Sequence, residues 1–157
     1  MRSHSPSEQI LVQLLLEKFD QIIEIIAQLP EELPNTRPGI PGGNSPIQLL
    51  VHCCGMMRRW SSTVNLGVAI PRDRAAEFTA ALPTAQALAH ATAVRAEFAA
   101  DLAQTEMQAR PASLPAGRED EYFAQTCQGV LLHVLEEFCQ HLGHLEITRD
   151  LLLAGWR

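Results

Sequence analysis

Four side chains in one short stretch are of the types that bind metals or move protons. His133, Glu137, His141 and His144 lie within LLHVLEEFCQHLGHLEITR, residues 131–149. The first three are spaced by four, and His144 follows three positions after His141. In a helix turning about 100° per residue, all four fall within about 80° of arc and share one face. A pair spaced by four can chelate one ion, because its Cβ atoms lie about 6 Å apart and the side chains converge. The zinc-binding H-E-x-x-H helix uses the same spacing. His133 and His141 are two turns apart, about 12 Å along the axis, so they cannot both bind one ion. Three pairs remain: Glu137 with His141, His133 with Glu137, and His141 with His144.

A third ligand must come from another element. His52 is the one histidine inside the second helical stretch, and it sits on that stretch's apolar side. A neutral imidazole joined by carboxylate or imidazole partners suits zinc, nickel, iron or manganese. Three protein ligands leave coordination positions open, the mark of a catalytic rather than a structural metal. His4 and His90 are assigned no role.

The elements that would position these residues read as four helices. The first starts at Ser5-Pro6-Ser7-Glu8, a capping box with proline at the first helical position. It carries Leu11, Leu14, Leu15, Ile22, Ile25, Ile26 and Leu29 at helical spacing, widened by Phe19 and Ile23. Residues 30–44 hold too many prolines and glycines for a regular element. Ser45-Pro46-Ile47-Gln48 repeats the start signal, and the second helix runs to about Leu66-Gly67. Gly55 within it marks a close approach by another segment or is merely tolerated. The stretch GVAIPRDRAAEF is a connection with at most one short turn. An alanine-rich third helix spans about Thr84 to Gln108, with Leu88, Ala91, Val94, Phe98 and Leu102 inward. Residues 111–125 form a second long loop. Thr126 is a candidate cap for the fourth helix, which ends near Ala154-Gly155. Four long helices predict an all-α fold, a four-helix bundle forming a single domain over residues 1–157.

The chain has 157 residues, of which 46% are hydrophobic. No apolar run approaches the ~18 residues of a membrane span, and no apolar leader precedes the first helix. A cytoplasmic protein is expected. The net charge is −6 and no Lys/Arg stripe is present, which excludes nucleic acid as an expected partner. Cys53, Cys54, Cys127 and Cys139 lack zinc-finger spacing and read as small buried hydrophobes in a reducing compartment.

Three segments carry a resemblance: PIQLLVH at 46–52, Trp60 through PRDRAAEF at 71–78, and LHVLEEFCQHLGH at 132–144. They resemble the DinB-like superfamily of four-helix bundles. The similarity is closest to the branch related to mycothiol-dependent maleylpyruvate isomerase and the mycothiol or bacillithiol S-transferases. The resemblance covers nearly the whole chain and is most specific at 132–144. It implies a metal triad of His52, Glu137 and His141. Many members carry a third histidine at the position of Glu137. Many also carry glutamine at the position of His144, so His144 in place of Glu137 is a second possible ligand set.

The implied activity is metal-dependent. The metal, zinc or nickel first and iron or manganese next, would activate a low-molecular-weight thiol of the mycothiol, bacillithiol or glutathione kind for S-transfer or isomerisation. His133 and His144 would serve as proton shuttle or ligand-orienting residues, and Arg58 or Arg59 would hold a substrate carboxylate. A homodimer is expected. The alternatives within the resemblance are a non-enzymatic, metal-binding stress-response dimer and a metal-dependent hydrolase.

Overall fold

Proline at the first helical position and a reciprocal serine cap fix where two of the main helices begin. In α1 (Pro6–Gln28), Ser5 accepts from the Glu8 backbone while Glu8 returns a bond to Ser5. In α2 (Pro46–Arg58), Ser45 and Gln48 do the same. Both capping boxes satisfy donors that the helix itself cannot. The structure, a computed structural model, describes residues 4–156; residues 1–3 and 157, the outermost parts of the expected 1–157 domain, lie outside the described residues.

Beyond Arg58 the chain continues without a break as a π-helical segment, Arg59–Leu66. Gly67 ends it at φ +73, in the left-handed region that suits glycine. α3 (Arg74–Glu77) is a single turn capped by Asp73. α4 (Thr84–Gln104) ends earlier than the sequence predicts, because Thr105 turns extended. A 3₁₀ turn, Tyr122–Gln125, leads into α5 (Cys127–Leu153), which Thr126 caps as expected. The described residues contain no strand. No helix among them is long and apolar enough to cross a membrane.

The buried stripe of α1 is Leu11, Leu15, Phe19, Ile22 and Ile26, with Phe19 at its centre rather than its margin and Leu14 left at the surface. α1 packs on α5 and α4, and α2 packs on the same two helices. The α4 and α5 backbones do not come close, these helices meeting through core side chains such as Phe98 and Phe138, and α1 meets α2 over a short length. The cross-section is therefore a square with α1 diagonal to α2 and α4 diagonal to α5. The loops 29–45 and 105–126 span these diagonals, which accounts for their length.

Contacts between helix ends give the directions. At one end Gln108 bonds Glu8 and Gln128, and Asn65 donates to the Cys127 carbonyl. At the other, Gly39 donates to Trp156, Ile47 to Pro34 and the Asn35 amide to Leu82. So α1 and α5 run one way, and α2 and α4 the other. The connection 67–83 must then return along the whole bundle, because α4's 21 residues span about 30 Å. It returns across α2, where α3 packs.

Phe138 of α5 locks the centre. It is fully buried and faces Phe19 at 5.6 Å and Phe98 at 6.2 Å between ring centroids. Truncating a buried phenylalanine to alanine removes transfer energy and leaves a cavity. Phe138→Ala is expected to lower unfolding stability by about 3–5 kcal/mol in a denaturant titration. A loss under about 1 kcal/mol would mean that this triple contact does not hold α1, α4 and α5 together.

Candidate metal centre

α2 and α5 cross antiparallel, which sets the start of one beside the middle of the other. His52 on α2 is 4% exposed and meets His141 of α5 at 4.6 Å between ring centroids, edge to face. Glu137, one turn before His141, approaches it at 3.5 Å from Oε2 to Nε2. His52, Glu137 and His141 each offer one ligating atom, and the three atoms lie within 4.8 Å of one another. Bonds of about 2.0–2.2 Å would set neighbouring ligand atoms roughly 3.3–3.5 Å apart in a tetrahedron. Two imidazoles and one carboxylate fit zinc, nickel, iron or manganese and leave coordination positions free.

A fourth residue completes the surroundings. His52 Nδ1 lies 2.8 Å from Glu77 Oε2, which leaves Nε2 as the free ring nitrogen. Glu77 is itself buried and is gripped by Arg72, with Nε 2.6 Å from Oε1 and Nη2 2.9 Å from Oε2. A carboxylate already receiving two guanidinium N–H groups is an acceptor, so the imidazole donates. Phe78 stands 4.8 Å from the His52 ring. Glu77, Phe78 and Arg72 all ride on the return crossing. Residue type and spacing single out none of them, although all three lie in the segment 71–78 that carries part of the family resemblance. The available signal was Gly55: a Cβ there would lie 2.1 Å from Glu77 Oε1. The close approach marked by that glycine is the approach of Glu77.

The three candidate ligands line a cavity of about 480 Å³. His133 lines it too, stacked on Phe123 at 4.2 Å and edge-on to Trp60 at 5.3 Å. Its Nδ1 is 3.2 Å from Glu136 Oε2, and its Nε2 is 4.0 Å from Glu137 Oε1. Arg59, Arg72, Arg74 and Arg118 line the same space. Arg74 lies over Phe78, Arg118 over Trp60, and Arg118 also reaches Glu121. Arg59 has no hydrogen-bonding or ionic partner among the described residues.

Two candidates fall elsewhere. Arg58 turns to α4, where it pairs with Glu97 and Asp101, because one residue step rotates it about 100° from Arg59. It does not line the cavity. His144 neither lines the cavity nor joins the converging cluster, although it is close enough for its charge to oppose protonation of His141.

The cysteines do not supply a nucleophile here. Burial pushes the Cys53 thiol well above its usual range, and burial together with Glu77 pushes Cys54 up to about 12. Burial also raises Cys127. Cys139, expected inside, is exposed on α5 and does not line the cavity.

His141 is held below the ordinary imidazole range by burial first and by the proximity of His52 second, with Glu137 opposing both. The unfolded chain therefore binds a proton more readily at this position than the folded one. Stability of the metal-free protein should fall as pH drops below about 6.5, the unfolded value, toward the lower folded value. Thermal melts between about pH 7.5 and 5 should show this slope, and His141→Gln should flatten it. Equal slopes in the two proteins would assign the pH dependence to other groups.

The sequence matches the profile of the mycothiol-S-transferase family over residues 10–154. No curated protein matches it. A match that spans both helices of the cluster, the return crossing and all four sides of the bundle identifies the chain as a member of the mycothiol-S-transferase family.

Proposed function

We propose that the protein is a metal-dependent enzyme that joins the sulfur of mycothiol to an electrophilic carbon, with His52, Glu137 and His141 as the metal ligands. The observation that supports this most directly is the convergence of those three side chains in a cavity, in a chain of this family. Crowding two imidazoles and a carboxylate together in a partly buried cluster costs solvation, and a bundle with no metal to hold would be more stable with apolar residues at these positions.

A divalent metal bound here supplies Lewis acidity, lowering the pKa of a thiol so that a thiolate is available at neutral pH. The chain's own residues do the rest. The cavity between α2 with its π-helical continuation, α5, the return crossing and the 105–126 loop would receive both reactants. The protein's buried cysteines stay protonated, so they do not compete with the incoming thiol. As the C–S bond forms, the electron pair of the broken bond leaves with the departing group. His133, with Nε2 on the cavity side near Glu137, is placed to exchange the proton. The rings of Phe123 and Trp60 fix its orientation.

Arg59 gives the second substrate a recognisable chemistry. An unpaired guanidinium lining a small cavity is a ready holder of a carboxylate or similar anion. Arg59→Ala should raise KM at least tenfold for an electrophile bearing a carboxylate and change it little for a neutral one. Equal effects on both would remove Arg59 from substrate recognition.

The decisive measurement is thermal stability in the presence of mycothiol, with and without one equivalent of zinc or nickel. The thiol should stabilise the metal-loaded protein by several degrees and the stripped protein not at all. Turnover of a thiol-reactive chromogenic electrophile should vanish on chelation and return with metal. If His52→Ala and His141→Ala bind metal as tightly as the parent, the ligand assignment is wrong.

A further inference from the structure

We propose that Glu77 is the positioning residue of this centre: by accepting the Nδ1–H of His52 it fixes the tautomer whose Nε2 lone pair is free for the metal. The inference rests on the ligand assignment above but concerns a residue outside it.

A neutral imidazole carries its proton on one nitrogen or the other, and the partner of one nitrogen decides what the second can do. Here the partner is fixed from three sides. Arg72 grips Glu77 through both oxygens, so the carboxylate cannot rotate away from Nδ1. α2 is notched to receive it: every other residue type at position 55 would drive a Cβ to 2.1 Å from Oε1. Phe78, next in the chain, backs the His52 ring. The Arg72–Glu77 pair lies wholly within the return crossing, so it orders the carboxylate without tying it to the bundle. The bond that Glu77 makes to α2 goes to the one α2 residue in the cluster, His52, at a place where Gly55 clears room for it. Carboxylates behind metal-bound histidines orient the ring and strengthen it as a ligand, and losing one weakens metal binding about 10–100-fold.

The test uses two variants and two readouts. Glu77→Ala removes the acceptor. Gly55→Ala displaces it without altering any charged or polar group. Nitrogen-15 NMR of the metal-free proteins at about pH 8, above the ordinary imidazole titration, reports the His52 tautomer, with the resonance assigned by its absence in His52→Ala. The parent should show mainly Nδ1–H, and both variants a marked shift toward Nε2–H. Zinc affinity, measured by competition with a chromophoric chelator, should fall about 10–100-fold in both.

A folded Glu77→Ala protein that binds zinc within threefold of the parent, or keeps the parent's tautomer, overturns the proposal. Should Glu77→Ala fail to fold, Gly55→Ala decides on the same two criteria. A parent protein that binds no zinc, or a His52→Ala variant that binds it equally well, would instead refute the ligand assignment, and the tautomer would still report on Glu77.

Discussion

Two neighbouring helices that point the same way cannot be joined by a short turn. That constraint shapes the whole molecule. α2 and α4 are such a pair, so the chain between them must run back the length of the bundle. The route it takes lies over α2, and this return crossing carries Arg72, Glu77 and Phe78 to His52. Had α2 and α4 been antiparallel, a few residues would have joined them, and His52 would face Glu137 and His141 with nothing behind it. The topology thus determines the chemistry available at the site.

What could be read in advance follows from what is local. The caps at Ser5, Ser45 and Thr126, and the termini near Gly67 and Gly155, are signals carried by one to four residues, and the structure shows each of them. Glu137 and His141 share a helix, so their spacing alone places them together. That His52 stands opposite them could be expected from the family resemblance. Periodicity places it on the apolar side of α2 but cannot say which helix that side meets. Glu77 was illegible for a different reason. It lies on a one-turn helix in a connection with no hydrophobic period, and a lone glutamate in such a place is usually solvated. The distinction between Arg58 and Arg59 was equally hidden, since it depends on which helices flank α2 and on the exact phase of its last turn.

Charge is distributed unevenly. The chain is acidic overall, yet four of its arginines line one cavity. Two of them serve partners already present: Arg72 holds Glu77, and Arg118 reaches Glu121. The neighbours Arg58 and Arg59 divide the work of α2. The first joins Asp101, which Ser61 also bonds at 2.6 Å, in a polar contact between α2 and α4. The second lines the cavity and has no hydrogen-bonding or ionic partner among the described residues. One helix face therefore joins α4 while the adjacent face borders the cavity. The two can be altered separately because only about 100° of rotation lies between them.

The notch at position 55 also has a consequence for descent. A methyl group there and the glutamate at 77 in its present position exclude each other, although the two positions lie on different elements. A lineage that gains alanine at 55, for the helix stability it brings, must shorten or withdraw the acid at 77. A lineage that loses the acid is at once free to fill the notch. The distance between the two positions thus makes a change at either one bear on what the other can hold.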